Sequence, residues 1–527
     1  MAARFWVTGG TGNWNSTTNW SATTGGASGA SVPGSSDTAT LDASSGAGTV
    51  TLDISPTIQT LTCTGFTGTL AFGTNTISLN STGTIFTGAT TMTVTGTPLI
   101  ICTNNSATAR TITPGAVTEA NSISFRVTAG TGTFTISSTT GIRNLDFTDG
   151  TNPTGYAGAA TFGTMTIYGD FKASTGMTCA ASANTTTFAA TSGTKTINTA
   201  GVTFDRPFTF NGVGGTFQLV SALTSGAART VTLTNGTLDL ASYTLTTGIF
   251  SSTNSNVRTL AFGTGKIVLT GNSAIIFTTG VITNLTVTGT SLVQSTYSGS
   301  TGTRTITLGT GAISENFAIN FDITAGSDIV SLAGTGGAAK NVNFTGFFGT
   351  IDLPSTKTIY GNFDAGSATS ITGTSTVTFA ATSGTKTIRT NGLIYGGSVT
   401  FNGIGGTWSL QDALSLTGTL TLTNGTLKLK AGTTSTVGSF ATSGTNAKYL
   451  LSTTLGSQAT ISQASGTVTV NYLTIQDSNA TGGATWNALN MTNTDAGGNT
   501  GWLFSSTPSI ANEIEIRLRS FTQPRRF

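Results

Sequence analysis

Histidine is absent from this chain of 527 residues. Its absence excludes Ser-His-Asp and Cys-His catalysis and nearly every zinc site, because these sites need an imidazole as base or ligand. Charged residues are also scarce, at 8% of the chain, and the formal net charge is only +3. A chain so close to neutral has no electrostatic footprint for nucleic acid, so we predict no nucleic-acid partner.

Cysteines and long apolar runs are also few. The three cysteines, Cys63, Cys102 and Cys179, are an odd number at wide spacing. This pattern predicts neither a disulfide framework nor a metal site, and we interpret the three as small core residues. No stretch reaches the roughly 18 apolar residues of a membrane helix, so no membrane span is predicted.

The residues that are abundant indicate a β protein. Glycine occupies 70 positions, 37% of the residues are hydrophobic and 29 are phenylalanine. Thr, Val and Ile fit a pleated, half-buried surface, and apolar residues at the 3.6-residue spacing of helices are nearly absent. The sequence therefore predicts an all-β fold with a buried core.

The chain repeats itself over a long period. The ten residues FAATSGTKTI occur at 188–197 and again at 379–388, and TLTNGTL occurs at 232–238 and at 421–427. One unit of about 190 residues is therefore present twice, followed by a partial third copy. The predicted segments are an N-terminal Trp-rich capping or attachment module (1–67), two repeat units (68–257 and 258–447), a partial repeat with a closing cap (448–504) and a C-terminal docking strand (505–527).

Two architectures fit short strands that are interrupted by glycine every few residues. Asn-Gly pairs at Asn211, Asn235, Asn402 and Asn424 are hairpin signals, which favour tandem β-sandwich domains. Sandwich domains, however, repeat near 100 residues with linkers between them, whereas this period is longer and the chain has only 9 prolines. We therefore predict an elongated parallel β-helix with capped ends, made of on the order of 22 to 25 coils of roughly 20 residues each.

Tryptophans concentrate near the two ends of the predicted solenoid. A solenoid must cover the open strand edges at its ends. We predict that large rings plug the core there, and the alternative is an aromatic platform for carbohydrate. The candidate structural caps are Trp6, Trp14, Trp20, Trp486 and Trp502.

The two ends also carry a resemblance. The opening segment contains Trp6, Trp14, the Asn19-Trp20 pair, Pro33-Gly34 and Asp37, and the closing segment is DAGGNTGWLF at 495–504. Together they resemble parallel β-helix virion proteins of phages, of the tail-fibre or spike type. The opening module also resembles that of bacterial autotransporter-type β-helix surface proteins, which have in addition a signal peptide and a membrane barrel.

The resemblance implies a structural virion protein that touches other virion proteins and host surface glycans. The N-terminal residues show no signal-peptide pattern, so we expect assembly in the host cytoplasm and release by lysis within a virus particle. Fibres of this kind form homotrimers, whereas a complete β-helix closes its own sheets and can stand alone. The alternatives are a capsid-decorating, cement or head-fibre protein, a polysaccharide-degrading tailspike and, last, a bacterial adhesin.

The last residues form a separate pattern. Between Glu513 and Phe521 charged or polar residues alternate with apolar ones, as in a half-buried strand. An isolated strand is not stable, so we predict docking on a partner or sister chain, with a simple terminal strand as the alternative. The candidate assembly residues are Ile514, Ile516 and Leu518 on one face and Arg517 and Arg519 on the other.

Paired carboxylates are the remaining route to catalysis, since β-helix tailspikes often cleave glycans with them. The densest sets are Asp146, Asp149 and Asp170 in the first repeat and Glu315 with Asp322 in the second. The second repeat places Asn343 opposite Asp146 and Asn362 opposite Asp170. Aspartates beside turns usually cap the backbone, so we predict no catalytic residue.

Two other acidic positions complete the search. Glu119 and Glu315 occupy comparable places in the two repeats, which indicates a shared structural task. Asp495 lies in DAGGNTG, where too few oxygen ligands accompany it for a calcium site. The sequence therefore predicts a protein that is not an enzyme and has no cofactor or metal site.

Overall fold

The computed structural model describes residues 2–7, 9–137, 140–150, 153–309 and 313–505. It divides the chain into two compact units, residues 1–337 and 338–527. The described residues form an almost all-β parallel solenoid of about 20 turns. The predicted fold class is therefore confirmed, and the alternative of tandem β-sandwiches is wrong.

Most strands of the first unit are short, and a few are longer. Their bounds are β1 (Ala3–Trp6), β2 (Gly12–Asn13), β3 (Trp20–Ser21), β4 (Thr38–Thr40), β5 (Thr49–Thr51), β6 (Thr57–Ile58), β7 (Thr60–Thr62), β8 (Thr69–Ala71), β9 (Ile77–Leu79), β10 (Gly83–Thr87), β11 (Thr93–Thr95), β12 (Leu99–Cys102), β13 (Arg110–Thr113), β14 (Ile123–Val127), β15 (Phe134–Ile136), β16 (Thr140–Asp146), β17 (Ala159–Phe162) and β18 (Met165–Ile167). They continue as β19 (Phe171–Lys172), β20 (Thr178–Cys179), β21 (Thr186–Phe188), β22 (Thr194–Asn198), β23 (Phe208–Leu219), β24 (Leu223–Thr224), β25 (Thr230–Asp239), β26 (Thr244–Thr247), β27 (Ile249–Ser251), β28 (Arg258–Ala261), β29 (Lys266–Leu269), β30 (Ile275–Thr278), β31 (Leu285–Thr288), β32 (Leu292–Ser295), β33 (Thr303–Thr307), β34 (Ile319–Ile323) and β35 (Ile329–Ala333). Single 3-10 turns lie at Thr17–Asn19, Ala43–Ser45 and Glu315–Phe317.

The strands of the second unit follow the same pattern, and the first of them begins at the unit boundary. Their bounds are β36 (Gly337–Asn343), β37 (Thr350–Asp352), β38 (Lys357–Ile359), β39 (Phe363–Asp364), β40 (Ser370–Thr372), β41 (Val377–Phe379), β42 (Thr385–Arg389), β43 (Ile394–Tyr395), β44 (Val399–Leu410), β45 (Ser415–Leu416), β46 (Thr419–Leu429), β47 (Thr434–Thr436), β48 (Ser439–Thr442), β49 (Lys448–Ser452), β50 (Ala459–Gln463), β51 (Thr467–Thr469), β52 (Leu473–Gln476), β53 (Ser478–Gly482), β54 (Thr485–Ala488), β55 (Thr494–Asp495) and β56 (Trp502–Phe504).

Except for β3, which pairs antiparallel with β1, the strands pair in parallel from one coil to the next along the chain. The coil length varies, since Ala459 pairs with Ser478, 19 residues on, and Leu292 pairs with Asn320, 28 residues on. Coils longer than the assumed 20 residues explain why about 20 turns are found where the sequence predicted 22 to 25.

Alternation along each strand builds the core. In β5, β8 and β11 the central residues Val50, Leu70 and Val94 pair in register and are buried. The flanking residues are mostly threonines that point outward. Each inward side chain therefore packs on the equivalent side chains of the coils above and below it, which is how a solenoid buries a continuous core.

The repeated FAATSGTKTI segments occupy equivalent places in the two units. Phe188 stacks on Phe210 with ring centroids 5.4 Å apart, and Phe379 stacks on Phe401 at 5.3 Å. The peptide carbonyl of Gly193, at φ +67°, accepts a hydrogen bond from the Thr216 amide. The shared segment thus supplies a core phenylalanine and a corner that only glycine adopts without strain.

The Asn-Gly pairs do not form hairpins, so that prediction from turn chemistry was wrong. They lie inside β23, β25, β44 and β46, which pair in parallel across successive coils. The amide of Asn235 donates to Asn211 Oδ1 at 2.6 Å, and the amide of Asn424 donates to Asn402 Oδ1 at 2.7 Å. Stacked asparagine amides therefore satisfy one another along a corner of the solenoid.

Buried cationic side chains stabilise other corners of the solenoid, and the sequence analysis did not identify these side chains. Arg206 donates to the carbonyls of Phe162, Gly163 and Asn184. Lys448 donates to the carbonyls of Gly444, Asn446 and Asn471. A buried charge costs free energy unless such partners compensate it. These side chains replace water at carbonyls that the tight corners leave without a strand partner.

Lys357 gives a pH-dependent prediction for the second unit. Its buried ammonium group donates to Ser355 O at 3.0 Å and to Ser355 Oγ at 2.6 Å. Burial lowers the pKa of Lys357 from 10.5 to about 8, although the nearby Asp352 opposes this shift. Between these two values the unfolded chain binds the proton and the folded chain does not. The free energy of unfolding therefore rises with pH across this window, by up to about 3 kcal/mol.

The measurement compares the native protein with a Lys357→Met variant between pH 7.5 and 10. Tyr395 keeps its proton across this range, because burial raises the pKa of Tyr395 to about 12. The difference in unfolding free energy between the two proteins should change with pH, since only the native protein carries the titrating amine. If the unfolding free energies of the two proteins changed in parallel with pH, the amine of Lys357 would have its ordinary proton affinity.

Candidate functional site

A groove in the first unit is lined by five charged residues. It has a volume of about 480 Å³. We call it the charged groove, and its lining residues are Thr74, Thr76, Thr97, Pro98, Leu99, Ser124, Phe125, Arg126, Arg143, Asn144, Leu145, Asp146, Asp170 and Lys172. Two of the predicted carboxylates, Asp146 and Asp170, are among them.

The groove crosses five successive coils at the strands β9, β12, β14, β16 and β19, which pair in parallel in that order. Since neighbouring strands lie about 4.8 Å apart, the five strands extend over about 19 Å. Local sequence explains why charges point outward here. Arg126, Asp146 and Lys172 each lie between two buried apolar residues, as Arg126 does between Phe125 and Val127.

Register stacks three of these charges into a ladder. Arg126 pairs with Asp146, Asp146 pairs with Lys172, and Lys172 pairs with Asn198. Arg126 Nε donates to Asp146 Oδ2 at 3.1 Å, and the two side chains are 33% and 14% exposed. This ion pair is only partly screened by solvent, so it holds both side chains along one wall of the groove.

Asp146 also performs the turn-capping task that the sequence indicated. Its Oδ1 accepts hydrogen bonds from the Thr148 amide at 2.9 Å and from Thr148 Oγ1 at 2.7 Å. Asn343 repeats this arrangement, because its Oδ1 accepts from the Thr345 amide at 3.0 Å and from Thr345 Oγ1 at 2.7 Å. An amide oxygen therefore does the same structural work as the carboxylate.

Asp170 has a similar equivalent. Its Oδ1 accepts from the Thr196 amide at 2.7 Å and from Thr196 Oγ1 at 3.0 Å. In the second unit Asn362 Oδ1 accepts from the Thr387 amide at 2.8 Å. The repeat equivalence read from the sequence thus corresponds to shared hydrogen bonds, and the negative charges of Asp146 and Asp170 are additions to this scaffold.

Asn144 fixes the floor of the charged groove. Its amide nitrogen donates to Ser124 Oγ at 3.1 Å, and its oxygen accepts the Asp170 amide at 2.7 Å. A Cβ placed on Gly169 would lie 2.1 Å from Asn144 Oδ1, so glycine is required there. Asn144 and Asp170 are therefore held in place by hydrogen bonds between neighbouring coils.

The other acidic residues named from the sequence lie elsewhere. Asp149 is exposed, and its amide donates to Thr154 O at 3.1 Å. Glu119 Oε2 accepts from Thr191 Oγ1 at 2.7 Å and so ties together parts of the chain 72 residues apart. Glu315 lies in a 3-10 turn, and Asp322 pairs in register with Gln294.

Asp495 caps its own turn. Its Oδ1 accepts from the Gly497 amide at 2.9 Å and from the Asn499 side-chain amide at 2.7 Å. Within the described ranges, no group of three or more Cys, Asp or Glu side chains is placed to hold a metal ion.

The predicted tryptophan caps are buried. In the first unit the Trp20 ring lies edge-on to Trp6 at 5.2 Å and to Trp14 at 4.8 Å. In the second unit Trp486 and Trp502 meet at 5.0 Å. A carbohydrate platform needs an exposed ring face, and the three N-terminal rings are at most 1% exposed. This burial contradicts the platform alternative, and the capping role stays a prediction.

Asp37, part of the opening resemblance, has a structural role. Its Oδ2 accepts from the Gly34 amide and its Oδ1 from the Ala2 amide, at 3.1 Å and 3.0 Å. The Gly34 hydrogen bond is the main reason that the pKa of Asp37 is lowered, and the Ala2 bond adds to it. Asp37 therefore joins the Pro33-Gly34 turn to the first strand of the protein.

The cysteines are not placed for reactive chemistry. Burial raises the pKa of Cys63 and of Cys102 to about 12 and that of Cys179 to about 11. Thiols with such high pKa values hold their protons and are poor nucleophiles. Cys63 and Cys102 lie in the core, and Cys179 is partly buried.

The candidate assembly residues Ile514, Ile516, Arg517, Leu518 and Arg519 lie outside the described residues. Within the part of the chain that the structure describes, no helix has the length and apolar content needed to cross a bilayer.

The fold and its repeats make this chain a parallel β-solenoid repeat protein. No protein-family model, no curated protein and no solved structure matches the chain.

Proposed function

We propose that this chain is a structural virion protein of a bacteriophage, of the tail-fibre or spike type, and that its charged groove contacts glycans on the host surface. The observation that carries the glycan part is the groove itself. Hydroxyl, amide and charged side chains converge there on five coils of a chain in which only 8% of the residues are charged. Sugars are recognised by such rigidly placed polar groups.

The location in a virion rests on the resemblance of the opening and closing segments to phage fibre proteins. A parallel solenoid is consistent with that role, because each coil is stabilised by its neighbours and the repeats present an extended surface. Labelled antibody against the protein, applied to intact particles, tests the location. We expect label at the tail; label on the capsid would favour a decorating or head-fibre protein, and unlabelled particles would overturn the proposal.

The groove is proposed to bind without cleaving. In glycoside hydrolysis one carboxyl group donates a proton while the other attacks the sugar or activates water. Asp146 already accepts hydrogen bonds at both oxygens, from Thr148 and from Arg126. Its charge is paired with Arg126 on the same wall of the groove, which favours a positioning role over proton transfer.

A polysaccharide-degrading tailspike is the second candidate, because Asp146 and Asp170 line the same groove. Incubation of the protein with host-surface polysaccharide distinguishes the two. We expect the polysaccharide to bind and to keep its chain length.

The control is the Asp146→Asn/Asp170→Asn variant. It should fold normally, because Asn343 and Asn362 make the corresponding hydrogen bonds in the second unit. Fragments that the native protein releases and this variant does not would establish hydrolysis and overturn the binding proposal.

A further inference from the structure

The groove holds more positive than negative charge. Its cations are Arg126, Arg143 and Lys172, and its carboxylates are Asp146 and Asp170. The Arg126–Asp146 ion pair neutralises one charge of each sign. Asp170 keeps one oxygen against the Thr196 amide and hydroxyl. Two cations, Arg143 and Lys172, and one carboxylate, Asp170, therefore remain in the groove outside this ion pair.

Lys172 is the cation that is most open to a ligand. Its side chain is exposed, and the described part of the chain gives it no ion pair within 4.0 Å. Arg143 is half-buried, and its Nη2 donates to Ala120 O at 3.2 Å. A guanidinium has five N–H donors, so this single bond leaves others for an anion.

Neutral polar groups lie beside these cations. Thr76, Thr97, Ser124 and Asn144 line the same groove along the stack of coils. Hydroxyl and amide side chains both donate and accept, which matches the hydroxyl groups of a sugar. The groove therefore combines sites for sugar hydroxyls with sites for an anion.

We propose that the ligand of the charged groove is a saccharide that carries carboxylate groups, such as a uronic-acid polymer, and that Lys172 and Arg143 bind its carboxylate. This inference rests on the proposed glycan function and specifies its substrate class. The saccharide lies across the coils, so that successive sugars meet successive strands. Lys172 supplies a mobile point charge, and Arg143 supplies the planar donors that suit a carboxylate.

The second repeat supports the assignment, because it changes the charges while it keeps the fold. Asp364 takes the place of Lys172, since it follows Phe363 as Lys172 follows Phe171, and it pairs with Asn343 as Lys172 pairs with Asp146. Asp364 is held in an ion pair with Arg389 at 2.8 Å. An aspartate is therefore compatible with this ladder position where Arg389 pairs with it, whereas the ladder neighbours of Lys172 are Asp146 and Asn198.

The test uses the full chain and a Lys172→Asp variant, which imports the residue of the second repeat. Calorimetry measures binding of alginate and galacturonan oligosaccharides, with dextran oligosaccharides of equal length as the neutral probe. We expect the native protein to prefer the two uronate probes, and Lys172→Asp to weaken that binding by about tenfold or more, since a charge-assisted hydrogen bond is lost and a repulsion is added. Raising the salt concentration should reduce the difference in uronate affinity between the native protein and Lys172→Asp, because salt screens the attraction between charges.

The matched control is Lys195→Asp. This lysine is half-exposed on β22 and is not one of the groove residues, yet its replacement changes the net charge by the same amount. It should leave binding of every probe unchanged. Equal losses in the two variants would show that net charge alone is responsible and would overturn the proposal.

The remaining outcomes separate this inference from the proposed function. Tight dextran binding that is indifferent to Lys172→Asp would leave a glycan-binding protein and overturn the carboxylate assignment. Failure of the native protein to bind any of the three probes would overturn the carboxylate assignment and count equally against a glycan-binding groove.

Discussion

Replacing Arg304 with methionine is expected to destabilise the coils around β33 and β35 by about 3 to 5 kcal/mol, because the change leaves a buried carboxylate without its partner. Arg304 Nε and Nη2 donate to the two oxygens of Asp328 at 2.7 Å and 2.8 Å. The two side chains are 1% and 0% exposed. The Asp328 charge would remain in the core with fewer donors and no water to replace them.

Native-state hydrogen exchange measures the effect locally, which matters because a solenoid opens in parts. The amides of Ile306 and Val330, which lie on β33 and β35, should exchange through openings that cost less free energy in Arg304→Met. The double variant Arg304→Met/Asp328→Leu should recover part of the loss, since removing both charges removes the unpaired one.

Arg229→Met is the control within the same unit. Its ion pair with Asp205 is equally short, at 2.7 Å, but the side chains are 22% and 41% exposed. An exposed pair contributes about 0.2 to 1 kcal/mol, so a small effect is expected. A similar loss in Arg304→Met and Arg229→Met would contradict the importance of burial.

The buried arginines show where sequence reasoning stops. Arg110 and Arg304 open similar segments in the two repeats, yet their surroundings differ. Arg110 donates to carbonyls of Asn104 and Ala129 and lies over the rings of Phe134 and Tyr156. Arg304 instead meets Asp328. The repeat predicts the position of the arginine, but not which distant group compensates its charge.

The fold was predictable because its signal is redundant. Alternating runs such as TVT at Thr49–Thr51 and Thr93–Thr95 recur throughout, and every coil repeats the same chemistry. The corner glycine Gly193 has an equivalent in Gly384. Because such corners recur, one turn interpreted wrongly does not change the predicted architecture. The Asn-Gly pairs misled because the same dipeptide serves a hairpin or a parallel corner, and only the neighbouring coil decides between them.

The charged groove was predictable only in part. Asp146 and Asp170 were identified together with Asp149 as the densest acidic set of the first repeat, but Arg126 and Lys172 were not associated with them. The ladder spacings are unequal, since Arg126 and Asp146 lie 20 residues apart and Asp146 and Lys172 lie 26 apart. Insertions at corners change the coil length without changing the register, so no fixed period marks the ladder. One signal was present: each member lies between two inward-facing residues, as Lys172 does between Phe171 and Ala173.

Replacing Trp20 with alanine is expected to open the N-terminal coils and to cost about 3 to 5 kcal/mol locally, the range for a fully buried aromatic ring. Trp20 is the centre of the N-terminal tryptophan cluster, because it packs edge-on against both Trp6 and Trp14 and donates from Nε1 to Trp14 O at 2.8 Å. It also lies on β3, which pairs antiparallel with β1. Loss of the ring therefore weakens the strand that covers the end of this sheet.

Two measurements report this opening. Hydrogen exchange should accelerate at Ala39 and Val50, the core residues of β4 and β5, and should leave β23 unchanged. Uncovering a strand edge also creates a template for pairing with another chain. Light scattering should therefore show self-association of Trp20→Ala that increases with protein concentration, while the native protein keeps its size.

The control is Trp408→Phe in the second unit. Trp408 is buried on β44, but its Nε1 has no hydrogen-bond partner among the described residues, and Phe217 occupies the equivalent place on β23. The repeat thus shows that phenylalanine fits this core position, and removing an unsatisfied N–H offsets part of the lost volume. We expect a change within about 1 kcal/mol and no self-association. If Trp20→Ala behaved like this control, the N-terminal tryptophans would be ordinary core residues, and the stability of the first coils would have to come from the strands alone.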